Sequence, residues 1–149
     1  TFTTVAERLK PESLYDRFIE YRESLGFEVL PLSGGQRPPL EVLAERLGDN
    51  RFVCLMADRD LTRSGVQVDF VGEPTRLPAG PAKLAISTGA PLHPAHVYYD
   101  GDDCVVMIGD EIDTGPGDLG LSLGYTTLRI LGIRFIQTLF CKNDDAPGL

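Results

Sequence analysis

The 149 residues carry 14 Lys and Arg against 22 Asp and Glu, a formal net charge of -8, so no general basic field is available to bind nucleic acid. With 42% hydrophobic residues the chain can bury one core, which excludes a disordered or fibrous class and predicts a single domain. Cys54, Cys104 and Cys141 are far apart with no CxxC spacing, so neither a disulfide framework nor a zinc knuckle is indicated and a reducing compartment fits.

The opening TFTTVAERLK has no initiator Met, basic region or apolar leader and reads as an internal start. Residues 2–7 are β-branched and apolar and predict a strand. In PESLYDRFIEYRESLG, Pro11 stands where a first helical turn tolerates it. Leu14, Phe18, Tyr21 and Leu25 recur at helical spacing, which predicts that they form the buried face, and Gly26 supplies the stop. A strand over 27–32 follows. After the loop SGGQRP, Leu40, Leu43, Ala44 and Leu47 make a second helical stripe over 38–48. The continuous apolar run FVCLMA, 52–57, has the pattern of a strand buried on both faces. Strand, helix, strand, helix, strand predicts an α/β fold, with a central, mostly parallel sheet flanked by helices.

The loop DRDLTRSG then brings Asp58, Arg59, Asp60 and Arg63 to the expected carboxyl end of that third strand, where open α/β sheets bind ligands. VQVDFVGE alternates as a strand does. GEPTRLPAGPAKLAISTG predicts a turn and a short helix through 84–87, and strands are expected at 95–99 and 104–108. Asp100, Asp102, Asp103, Asp110, Glu111, Asp113 and Asp118 occur without an intervening Lys or Arg, as in a solvated loop or hairpin rim.

Several apparent motifs have plainer readings. GPGDLG, 115–120, matches GxGxxG, but acids precede it and Asp118 sits inside it, so a pyrophosphate would be repelled and a loop is expected. His93 and His96 are three apart on a predicted strand and point to opposite faces, which does not make a metal pair. His96 and Asp100 are too far apart on an extended segment to act as a base and its orienting carboxylate. By composition, Asp58, Arg59 and Asp60 fit either a surface ion-pair loop or a carboxylate placed to orient a histidine. Arg22 and Glu7 fit solvated charges equally well.

The order of these features adds a resemblance. From AERLKPESLYDRFIEYRESLGFEVLPL through FVCLMADRDLTRSGVQVDFVGEPTRL to HPAHVYYDG, the chain closely resembles the lysophospholipid acyltransferase superfamily, in the branch that contains the lipid A acyltransferases. Within that branch it is most similar to the members that acylate a phosphatidylinositol mannoside. The likeness covers about residues 1–113 and rests on the AERLKP start, the Tyr21–Arg22 pair, the Ala-Asp-Arg-Asp loop and the Phe-x-Gly-Glu turn, in that order.

It implies acyl transfer from acyl-CoA to a mannose hydroxyl of a phosphatidylinositol mannoside, peripherally, on the cytoplasmic side of the cell membrane. It implies no metal or redox cofactor and no nucleic-acid partner. In such enzymes the histidine of an HxxxxD motif is the general base on the sugar hydroxyl. The resemblance assigns Asp58 to the acidic position paired with that histidine, Arg22 to the active-site groove, and Glu7 to the acidic position after the strand that follows the motif helix. Phe70, Gly72 and Glu73 correspond to the turn lining the acceptor groove, and Arg59 and Arg63 to phosphate contacts.

This sequence departs from the family pattern in two respects. No HxxxxD occurs in it: His93 is followed five residues later by Tyr98, and His96 by Gly101. The expected sheet is therefore incomplete at its N-terminal side, and the chain reads as a fragment of such an acyltransferase, carrying its acceptor and acyl groove and without turnover on its own; a catalytically inactive fragment that binds lipid or acyl-CoA is the second reading. The second departure is the stretch 115–149, which lacks the family's Trp-containing segment and is expected as an atypical tail, with a surface-lying or partly buried helix over 121–140. Independent of the resemblance, a nucleotide-binding α/β domain using the arginine-rich loop is the alternative.

Overall fold

The computed structural model describes residues 1–57, 60, 65–70, 73–114 and 137–140, with Phe70 and the last four described by backbone alone. Strand β1 (Phe2–Ala6) leads into helix α1 (Glu12–Ser24), strand β2 (Glu28–Pro31), helix α2 (Pro39–Gly48) and strand β3 (Phe52–Met56). Then come the strands β4 (Val66–Phe70) and β5 (Glu73–Leu77), helix α3 (Gly80–Thr88), and the strands β6 (Leu92–Asp100), β7 (Asp103–Ile108) and β8 (Gln137–Phe140).

Six strands form one sheet in the order β2-β1-β3-β8-β6-β7, while β4 and β5 pair only with each other. β1 is parallel to both β2 and β3. β8 lies antiparallel between β3 and β6, and β7 is antiparallel to β6. The fold is α/β, with its parallel part in β1–β3. The two parallel crossovers leave β1 in one direction and return past it in the other. Because such crossovers are right-handed, α1 and α2 must lie on opposite faces of the sheet.

On the α2 face, Leu43 and Leu47 pack with Val53 and Leu55 of β3, Leu84 and Ala85 of α3, Leu92 of β6 and Ile112. This is the core that the second helical stripe predicts, although Leu40 stays 39% exposed. Two prolines open α2, where missing N–H groups cost nothing, and Gly89 ends α3 in the left-handed conformation.

The first helix is rotated from its expected setting. Leu14, Tyr21 and Leu25 are 48%, 65% and 53% exposed. The inward face is Tyr15, Phe18, Ile19 and Arg22, of which Tyr15 is buried. The sequence holds two overlapping stripes about 100° apart, and hydropathy favours the one without an arginine. An arginine stem is itself apolar, however, and Arg22 covers Phe18 with its guanidinium 4.3 Å from the ring centre.

Three other expectations change. GEPTR is not a turn: Glu73–Leu77 is a strand whose whole length pairs with β4, from Val66↔Leu77 to Phe70↔Glu73. An isolated edge tolerates Pro74, because its missing N–H need not enter a wider sheet. β3 is buried only at its centre, with Phe52 and Met56 46% and 53% exposed on the α1 side. And residues 137–140 form a strand, not part of a helix, since β3 and β6 both offer unpaired backbone groups that a strand between them satisfies.

Candidate active-site crevice

Within the parallel part, the connection from β1 leaves toward β2 and the connection from β3 leaves toward the opposite edge. The carboxyl ends of β1 and β3 therefore flank a topological switch point, where an open α/β sheet leaves a crevice. Glu7 is the first residue past β1 and is exposed. Asp58 comes two residues past β3 in sequence, but Asp58, Arg59, Arg63 and Gly72 lie outside the described residues.

The neighbouring groups at this end of the sheet are held by backbone and ion-pair contacts. Leu32 N–H donates to the Ala6 carbonyl at 2.8 Å, extending the β1–β2 ladder past the strands. The Arg8 guanidinium lies 5.7 Å from the Tyr15 ring centre and 3.5 Å from the Glu12 carboxylate. Arg37 is engaged by the Glu45 carboxylate through both terminal nitrogens, at 3.0 and 2.5 Å, so it is not a ready ligand group.

Arg22 is remote from this rim. It sits in the last turn of α1, which must run antiparallel to β1 to connect two parallel strands. A helix rise of 1.5 Å per residue puts roughly 15 Å between the levels of Glu12 and Arg22. Arg22 instead faces the middle of β3. Burial pushes the Cys54 thiol above its usual range, and the Arg22 charge acts against that shift. A strip thus runs along the α1 side of β3 past Phe52, Cys54 and Met56, with Arg22 beside it and the crevice at its end.

After β3, Asp60 and Gly65 are tied together. Gly65 N–H donates to Asp60 Oδ2 at 2.7 Å, and Arg76 Nη1 donates to the Gly65 carbonyl at 2.8 Å. Glu73, at the start of β5, is exposed, and only the backbone of Phe70 is described.

Residues 1–114 match the family model described as bacterial lipid A biosynthesis acyltransferase. The chain belongs to that family. This lipid A acyltransferase family member is 73% identical over 118 residues to "Phosphatidylinositol mannoside acyltransferase" of Mycolicibacterium smegmatis, covering 79% of this chain and 39% of that protein. It is 68% identical over 145 residues to the protein of the same name from Mycobacterium tuberculosis, covering 97% of this chain and 44% of the relative. The chain thus spans less than half the length of these relatives.

Neither histidine approaches a metal set. His93 Nδ1 is 3.1 Å from the Gly109 carbonyl, and His96 stacks at 5.9 Å on Tyr98. Among the described residues no group of His, Cys, Asp and Glu could hold a metal ion.

One charged cluster escaped the sequence reading. The Glu28 carboxylate accepts from Arg46 Nε at 3.0 and 2.8 Å, from Arg46 Nη2 at 2.7 Å and from Thr3 Oγ1 at 2.7 Å, with Arg51 at 3.3 Å. Hydrogen bonding from Arg46 holds the Glu28 carboxyl down at about 2, against the opposing effect of burial. A perturbed carboxylate is a candidate functional group. Here Glu28 opens β2, Thr3 lies early in β1 and Arg51 precedes β3, so the cluster is at the amino end of the sheet, opposite the crevice. It pins α2 to the sheet. Its partners lie 18 to 25 residues from Glu28, beyond the reach of any local motif.

Proposed function

We propose that this chain forms the substrate groove of a phosphatidylinositol mannoside acyltransferase, which moves a fatty acyl group from acyl-CoA to a mannose hydroxyl. The observation that carries the reading is the topological switch point between the carboxyl ends of β1 and β3, with Glu7 just past β1, in a family whose relatives at 73% and 68% identity bear that name.

In this reading the acyl chain lies along the α1 side of β3, where Phe52 and Met56 leave apolar surface open, with Arg22 beside it. The thioester sits at the crevice. Arg59 and Arg63 meet phosphates of the CoA or the acceptor headgroup, and Phe70, Gly72 and Glu73 line the acceptor side. Transfer needs a base to take the hydroxyl proton as its oxygen attacks the thioester carbonyl and the CoA thiolate leaves. Asp58 is suited to orient an imidazole in that role, but no HxxxxD motif is among the 149 residues. The chain by itself therefore binds acyl-CoA without transferring the acyl group. No metal or redox cofactor enters the scheme.

No helix among the described residues is long and apolar enough to cross a membrane. The proposed site of action is peripheral, at the inner face of the cytoplasmic membrane, where both substrates are within reach.

Titration of the 149-residue chain with palmitoyl-CoA tests the reading. Saturable binding is expected, weakened about tenfold in Arg22→Ala without loss of the folded signal. Radiolabelled palmitoyl-CoA and a mannosylated phosphatidylinositol should give no acylated product. Binding of ATP with no response to palmitoyl-CoA would overturn the acyltransferase groove, and product formation by this chain would overturn the missing base.

A further inference from the structure

We propose that the Tyr15 hydroxyl donates a hydrogen bond to the thioester carbonyl of bound acyl-CoA, at the crevice end of the acyl strip. This rests on the groove reading above.

Tyr15 is the one buried residue of α1, at 7% exposure. Its hydroxyl nonetheless has no hydrogen-bond partner among the described residues. Burial lifts the phenol above its usual range and the Arg8 charge acts against that shift, so the hydroxyl is itself desolvated and lies within the field of a residue two past β1. Most buried polar groups in folded proteins are paired, because leaving one without a partner costs free energy. An apolar side chain would fill the same place without that cost. The hydroxyl is therefore kept for a partner that arrives from outside the chain.

Its level along the sheet says which partner. Arg22 faces the middle of β3 beside Cys54. Tyr15 comes seven residues earlier in α1, roughly 10 Å along the helix axis. Because α1 runs antiparallel to the parallel strands β1 and β3, this displacement is toward their carboxyl ends. At roughly 3.3 Å per strand residue it corresponds to three residues of β3, which brings Tyr15 level with Ala57, just past Met56. Tyr15 faces the sheet from the side on which Met56 is exposed.

An acyl chain lying along this side of β3, with its thioester in the crevice, brings its one carbonyl to that level. The rest of the chain is apolar and meets Phe52, Cys54 and Met56. A carbonyl oxygen accepts and a neutral phenol donates, so the two satisfy each other. The bond strengthens as negative charge develops on that oxygen during attack on the thioester.

The test compares palmitoyl-CoA with S-hexadecyl-CoA, a thioether of the same chain length that lacks the carbonyl, on the 149-residue chain and its Tyr15→Phe variant. Palmitoyl-CoA affinity should fall about fivefold in the variant, as for the loss of one hydrogen bond, while S-hexadecyl-CoA affinity is unchanged. The infrared carbonyl stretch of bound palmitoyl-CoA, isotopically labelled at the carbonyl carbon, should move to higher frequency in Tyr15→Phe. Without ligand, the variant should unfold in urea at the same midpoint or a higher one, since no bond within the chain is lost. Equal losses for the two ligands, no loss for either, an unmoved carbonyl stretch or a lower urea midpoint would each overturn the proposal. Failure of the unaltered chain to bind either ligand would defeat the groove reading, and the thioester as the partner of Tyr15 with it.

Discussion

Glu28→Gln should lower the unfolding free energy by about 2 kcal/mol at pH 7, and the difference between the two proteins should shrink as the pH falls from about 5 toward 2. The Glu28 carboxyl is held at about 2 in the folded chain, against an ordinary value of 4.5. A depressed folded pKa means that the unfolded chain takes up the proton first. The stabilisation is therefore complete above the unfolded value and is lost as the pH drops through the folded one. The full shift would be worth about 3 kcal/mol, and the Glu28 and Arg46 side chains are each about a quarter exposed, so screening reduces it. Urea melts of both proteins at several pH values measure the effect. A pH-independent difference would show that the carboxylate charge is not what ties α2 to the sheet. The substituted amide can still accept hydrogen bonds through its carbonyl oxygen, which makes the comparison specific to charge.

Leu47→Ala should cost about 3 kcal/mol, enough to remove a large share of the stability of a domain of this size. Leu47 has no exposed surface. It joins α2 to β3, α3 and β6 in one cluster, so the cavity left by the truncation opens where four elements meet. Partial collapse is difficult there, because Leu43, Val53, Leu84 and Leu92 are themselves at most 2% exposed and held by their own neighbours. Leu14→Ala is the control: on the exposed side of α1 it should change stability by no more than about 0.5 kcal/mol. A large effect at Leu14 with little at Leu47 would contradict both the rotation of α1 and the position of the core.

The contrast between these two leucines shows where the sequence was legible. Leu43 and Leu47 read correctly because α2 carries one dominant stripe. Leu14 read wrongly because α1 carries two, and the charge on Arg22 disguised an apolar stem that faces the sheet. At the site, residue order put Glu7 and Asp58 each just after a strand, but only the sheet showed that those strands, β1 and β3, are parallel neighbours. Nor was residue order enough to reveal that Arg22 stands away from the crevice, facing the middle of β3 beside Cys54, since separation along a helix axis depends on which strands the helix joins. The Asp60–Gly65–Arg76 clasp was equally hidden: GEPTR looks like a turn until β4 supplies the backbone partner that makes it a strand.

The sequence by itself determined the α/β class, the strong α2 stripe, the apolar centre of β3 and membership of an acyltransferase family, because periodicity and residue order are local properties that the chain carries into any environment. The tertiary structure alone decided the rotation of α1, the insertion of β8 between β3 and β6, the Glu28 cluster and the clasp on Gly65. Each of these depends on groups far apart in sequence satisfying one another's charge, hydrogen bonds or apolar surface, and the free energy of such pairings exists only once the sheet has brought them together.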